Sequence, residues 1–132
     1  MFIPVHYPKE DEMKIALATH GDSLESELDQ RFGRSPKFLI YDQDDGSFVI
    51  MDNSQNLNAM QGAGIQAAQN VVNSGAGVVI TANCGPKAHR VLTEAGVKIY
   101  STTAKTIAEA IKLYLENKLP PADSPNVEGH WD

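Results

Sequence analysis

Residues 78–100, VVITANCGPKAHRVLTEAGVKIY, decide the fold. Residues 78–82 (VVITA) form a short apolar run suited to a buried strand. Pro86 fits a first helical position, where the N–H it lacks would be unbonded anyway. Ala88, Val91, Leu92 and Ala95 then recur on one helical face, and Gly96 ends the pattern, so a helix is predicted over 86–95. Residues 97–101 (VKIYS) read as a second strand. Strand, helix and strand make a crossover unit whose two strands run parallel with right-handed connection.

Working outward, residues 61–73 place Gly64, Ala67, Ala68, Val71 and Val72 on one helical face, with Gly75 as a stop. Farther upstream, 14–19 (KIALAT) is a buried-strand run, and 20–36 is a polar loop ending in RFGRSP. Residues 37–41 (KFLIY) and 47–51 (SFVIM) flank a turn with Asp45-Gly46 at its centre, which reads as a hairpin. Downstream, a helix is predicted over 104–116, with Ile107, Ala108, Ile111, Tyr114 and Leu115 inward. An antiparallel opening followed by crossovers gives an α/β fold: a mixed five-stranded sheet of order 3-2-1-4-5 flanked by helices, a ribonuclease-H-like layout. Residues 1–13 read as an N-terminal arm, 14–119 as the domain, and 120–132, with three prolines, as a C-terminal tail.

Composition narrows the function. The chain has 132 residues, enough for one core without metal or disulfide support. One cysteine, Cys84, excludes a disulfide framework or a four-cysteine metal site within the chain and points to a reduced, cytoplasmic setting. No run approaches the ~20 apolar residues of a membrane span, so no membrane partner is expected. The net charge of −6 argues against non-specific binding to nucleic acid, which needs Lys and Arg against phosphates. It leaves room for a local cationic site for a small anion.

Ligands of such sheets sit beyond the carboxyl ends of the parallel strands, at the switch point. Three segments should converge there: His20-Gly21-Asp22, Asn83-Cys84-Gly85-Pro86-Lys87, and Thr102-Thr103-Ala104-Lys105. The last two each enter a helix N-terminus, where unbonded N–H groups favour an anion. Cys84 reads either as a thiolate favoured by a helix start or as a small buried residue at a strand end. His20 falls at the site's edge, His89 on a helix flank at the surface, and His6 and His130 in the terminal segments. None of these histidines has zinc-ligand spacing. Gly62-Ala63-Gly64-Ile65-Gln66-Ala67 matches a dinucleotide fingerprint only superficially, because a long loop precedes it and no acid follows about 20 residues later. Two-metal nuclease chemistry needs clustered carboxylates, and KIALAT has none; Asp22, Glu25, Glu27 and Asp29 read as a solvated loop face. With no activated nucleophile in view, the residues support binding over catalysis.

KIALATHGD, RFGRSPKFLIYD, QGAGIQAAQNVVNSG, VVITANCGPKAHRVLTEAGVKIY and AIKLYLENKL together resemble the dinitrogenase iron–molybdenum cofactor biosynthesis family over about residues 14–119. That family takes in NifX-like proteins, the C-terminal part of NifB and the orange protein of sulfate-reducing bacteria; the tail NVEGHW is most similar to the orange-protein branch. The resemblance implies a carrier or scaffold rather than an enzyme. Its cargo would be a polyanionic metal–sulfur cluster: a molybdenum–copper sulfide cluster, or iron–molybdenum cofactor or its precursor. A protein donor or acceptor of the cluster is implied too. The carried-over positions are Arg31 and Arg34 around FGR, Gly62 and Gly64, and Asn83, Cys84, Gly85 and Lys87. Cys84 is the candidate metal ligand. Arg31 stands where relatives often carry His, which replaces a ligand by a permanent cation and favours an electrostatic site.

Overall fold

The computed structural model describes residues 13–54 and 62–122. Its elements, in chain order, are β1 (Lys14–Thr19), β2 (Lys37–Asp42), β3 (Phe48–Asp52), α1 (Ala63–Asn73), β4 (Val78–Thr81), α2 (Pro86–Glu94), β5 (Lys98–Ser101) and α3 (Ile107–Leu115). The sheet order is β3-β2-β1-β4-β5, as expected. β1 is antiparallel to β2 and parallel to β4, so the switch in direction falls on β1. The arm reading of residues 1–12 and the tail readings beyond Ala122, including those on His6, His130 and the NVEGHW stretch, lie outside the described residues.

Both faces of the sheet are covered, which explains the unbroken apolar runs of the central strands. Ala16 and Ala18 of β1 and Val79 of β4 face a core built with Ala67, Ala68 and Val71 of α1 and Ala88 and Leu92 of α2. The small residues on this side let α1 and α2 lie close to the sheet. Ile15 and Leu17 of β1 and Val78 and Ile80 of β4 point the other way, against Ile107, Ala110, Ile111 and Tyr114 of α3. No helix among the described residues is long and apolar enough to cross a membrane.

Three boundaries differ from expectation for identifiable reasons. Gly62 has φ 82°, a left-handed conformation that cannot belong to a helix, so α1 begins at Ala63 rather than at 61. α3 begins at Ile107 rather than at 104, because Thr106 is extended and its hydroxyl caps the helix by accepting from Glu109 N–H at 3.2 Å. The tail reading of 120–122 also changes. Ser101 N–H donates to Pro120 O at 3.0 Å and Ala122 N–H to Ile99 O at 2.8 Å, so these residues run along the outer edge of β5. His89, expected at the surface, is 8% exposed beneath this segment. Its Nε2 lies 2.8 Å from Ala122 O, and since a carbonyl only accepts, Nε2 carries the proton.

Candidate functional site

The loop after β1 returns across the carboxyl ends of the parallel strands. Thr19, fully buried, anchors its beginning: its hydroxyl donates to Glu27 O at 2.9 Å and accepts from Gly21 N–H at 3.0 Å. Asp29 N–H then donates to Ala18 O at 2.8 Å, Arg31 bridges to Asn83 just past β4, and Phe32 N–H reaches Asn83 O at 3.4 Å. Phe32 is buried and packs against Phe38 of β2, with ring centroids 5.1 Å apart. This aromatic anchor fixes the backbone of the segment that carries Arg31 and Arg34.

Gly33 lies between those arginines and presses on α1. A Cβ there would stand 2.9 Å from Gly64 Cα and 3.0 Å from Gly64 N. The sequence-predicted residues Arg31, Arg34, Gly62, Gly64, Asn83 and Gly85 are thus brought together by two joins, loop to α1 and loop to the β4–α2 connection. Lys87 follows in the first turn of α2 and is exposed. Both helix starts here lack a side-chain cap. The N-caps are Gly62 and Gly85, and neither first turn contains an acidic residue. Among the described residues, the amides of Ala63, Gly64 and Ile65 have no acceptor.

The third predicted segment behaves differently, and the expectation of an open anion site at α3 is corrected. Ile107 N–H donates to Ser26 O, Ala108 N–H to Leu24 O, and Glu109 N–H to Thr106 Oγ1. Lys105 N–H approaches Glu109 Oε2 at 3.3 Å. The start of α3 is therefore saturated and already carries its own carboxylate. Lys105 precedes the helix instead of lying in its first turn. Thr102 is 6% exposed, and its hydroxyl accepts from Ala104 N–H at 3.0 Å, a turn bond rather than a ligand contact.

His20 sits on this same side, with its side chain 65% exposed and Nε2 2.6 Å from Asp29 Oδ2. The two atoms are close but do not have hydrogen-bond geometry, and Asp29 Oδ2 is buried with no hydrogen-bond partner among the described residues. Asp29, expected on a solvated face, is 8% exposed; its Oδ1 accepts from Arg31 N–H at 2.8 Å and lies 3.9 Å from Arg31 Nε. It orients both the histidine and the arginine, a role invisible until the loop closes. Cys84 is 2% exposed, belongs to the apolar core between sheet and helices, and points its thiol at Gly85 O, 3.7 Å away. This geometry matches the small-buried-residue reading of that position. Among the described residues no three His, Cys, Asp or Glu side chains gather in a group that could hold a metal ion. The segments that meet here carry Arg31, Arg34 and Lys87 and the starts of α1 and α2.

Comparison with known proteins gives a consistent result. The family model described as dinitrogenase iron-molybdenum cofactor matches residues 13–117. An uncharacterized protein of Methanocaldococcus jannaschii is 36% identical over 110 residues, covering 81% of this chain and 89% of its own length. The apo form of the orange protein from Desulfovibrio gigas superposes with a TM-score of 0.85 at 34% identity, over 94% of this chain and 100% of that one. A NifB-like protein from Thermotoga superposes with a TM-score of 0.77 at 31% identity, over 88% and 98% of the two chains.

Proposed function

Because the chain belongs to the dinitrogenase iron–molybdenum cofactor family, we propose that it binds and carries an anionic, molybdenum-containing metal–sulfur cluster without transforming it. The cargo is a molybdenum–copper sulfide cluster or a precursor of iron–molybdenum cofactor, received from or passed to a protein partner. The observation that carries this reading is the contrast among the three helix starts. α3 is capped by Thr106, bonded by the loop and supplied with Glu109. α1 and α2 begin at glycines, with no side-chain cap and no acid in the first turn; the loop that carries Arg31 and Arg34 abuts α1 and the β4–α2 connection, and Lys87 lies in the first turn of α2. A helix N-terminus ordinarily attracts a carboxylate or a capping oxygen. Two starts without either, with cations added, favour an external anion in an otherwise acidic protein.

The binding chemistry follows from what touches the rim. Backbone amides and guanidinium groups bond sulfide and oxo ligands of a cluster from outside, so no metal–protein bond is required. Cys84 supports the floor of the site as a core residue, and a soft metal would reach its sulfur only if the β4–α2 connection moved.

The test is a titration of anaerobically purified protein with tetrathiomolybdate, with and without Cu(I), followed by desalting and elemental analysis. Retained molybdenum with visible charge-transfer bands is the expected result. Protein that emerges colourless and metal-free at every ratio would overturn the reading, and would leave a regulatory interaction domain of the same fold in its place.

A further inference from the structure

We propose that a buried amide relay, Asn70–Asn53–Ser35, is the positioning device of this site: it clamps the Arg31–Arg34 loop to α1 and so sets where the arginines stand relative to the start of that helix. The proposal rests on the anion-cargo reading for its ligand, but its mechanical content stands apart from it.

Asn53 follows β3 and is fully buried, an unusual place for a carboxamide, which must find partners or lose its hydration without return. Its backbone N–H extends the hairpin ladder to Pro36 O at 2.8 Å. Its side chain bonds two other parts of the chain. Nδ2 donates to Ser35 O at 2.8 Å, and Oδ1 accepts from Asn70 Nδ2 of α1 at 2.8 Å. Ser35, also fully buried, extends the relay to β1, with its hydroxyl 3.0 Å from Thr19 O and 2.9 Å from Lys37 O. One proton serves those two carbonyls in turn.

The relay brackets Arg34. On its N-terminal side, Gly33 abuts Gly64 in the first turn of α1. On its C-terminal side, the Ser35 carbonyl is tied through Asn53 to Asn70, six residues farther along the same helix. At ~1.5 Å rise per residue the two attachments are about 9 Å apart along the axis. Two attachments fix orientation as well as distance, so loop and helix start move together. The Asn53 amide links the loop, the end of β3 and α1, the three segments whose relative placement defines the site. The arrangement is that of a supporting shell that locks groups contacting the ligand.

Asn70→Ala is the informative variant, since Asn70 is half-buried on a helix and alanine favours that helix. Amide hydrogen exchange without ligand should quicken at residues 31–35 while the strands remain protected. Unchanged exchange there would overturn the clamp, whatever the protein binds. Tetrathiomolybdate affinity should fall about threefold to tenfold in Asn70→Ala, and by less than twofold when the same change is made on an Arg34→Gln background, because the relay acts through that arginine. An equal loss on both backgrounds would show a general structural effect and overturn the positioning role. Asn53→Asp tests the donor separately: a carboxylate cannot donate to Ser35 O, so this variant should show the same faster exchange. Wild-type protein that fails to bind tetrathiomolybdate refutes the cargo reading, and with it the ligand-directed half of this proposal, while the exchange result still decides the clamp.

Discussion

Gly33 and Gly64 meet backbone to backbone, close enough that a Cβ on Gly33 would stand 2.9 Å from Gly64 Cα. The obstacle is main chain at a helix start, which cannot rotate aside as a flexible side chain would. Gly33→Ala should therefore separate the loop from α1 and destabilise the fold by about 1–3 kcal/mol, the usual range for overpacking a fitted site. Chemical denaturation checks this. A midpoint equal to that of wild type would show that the loop yields without loss.

Strand order and helix faces were legible because both depend on local patterning. KIALAT and VVIT are apolar but for Lys14 and the closing threonines, because β1 beyond Lys14 and all of β4 are buried. The helical faces follow in the main from spacing, although Ala95 and Ala108, expected on the inner faces, are exposed and Ala110 is buried instead. The start of α3 had a signal too, Thr106 with Glu109 three residues later, which outweighs the apolar count that extends the helix back to 104. What could not be read are polar residues whose partners lie far along the chain. Asp29 reads as solvated until the loop folds it under His20, and His89 reads as a surface residue until 120–122 covers it. Asn53 and Ser35 look like ordinary loop residues, since nothing in their neighbourhood announces the buried partners they acquire. Arg31, Gly64 and Asn83, whose backbones the loop brings together, are candidates from family resemblance and the switch-point rule, not from periodicity.

The proline-rich segment at 120–122 should contribute to stability. Chains ending at Ala122 and at Leu119 differ by the bonds from Ser101 N–H to Pro120 O, from Ala122 N–H to Ile99 O, and from His89 to Ala122 O. Removing 120–122 also uncovers the buried ring of His89. A loss of about 2–4 kcal/mol follows if these bonds contribute at their ordinary net value of about 1 kcal/mol each. Thermal melts of the two truncated chains would measure it. Identical melting temperatures would mean that the segment merely rests on β5.

Cys84→Ala separates packing from ligation. The thiol lies in an apolar core at 2% exposure, so its removal should cost about 1 kcal/mol of stability and change tetrathiomolybdate affinity by less than twofold. Loss of all colour from a folded Cys84→Ala protein would show that the sulfur ligates metal and that the β4–α2 connection opens to deliver it.

Lys87 and Lys105 should differ, although the sequence places both after a parallel strand near a helix start. Lys87 lies in the first turn of α2, where the helix dipole disfavours a cation, and no acid accompanies it there. Lys105 precedes a helix start whose amides are bonded and whose own Glu109 carboxylate approaches the Lys105 backbone N–H at 3.3 Å. One charge pair at ~5 Å and an effective dielectric of ~20 is worth about 3 kcal/mol, reduced by exposure and salt. Lys87→Gln should therefore weaken cluster binding by roughly tenfold to a hundredfold, because solvent and salt take away part of that figure. Lys87→Glu should weaken it further, with stability held or slightly raised as the acid suits the dipole. Lys105→Gln should change affinity by less than about threefold, in line with a screened exposed charge. Raising salt from about 50 to 500 mM should erode wild-type binding and shrink the Lys87 effect, as screening shortens the reach of both charges. Thr106→Ala serves as the control for α3: it should cost about 1 kcal/mol of stability as a lost cap and leave affinity unchanged. Equal losses from Lys87→Gln and Lys105→Gln would contradict the assignment of the anion to the α1 and α2 starts, and would return α3 to the site despite its saturated amides.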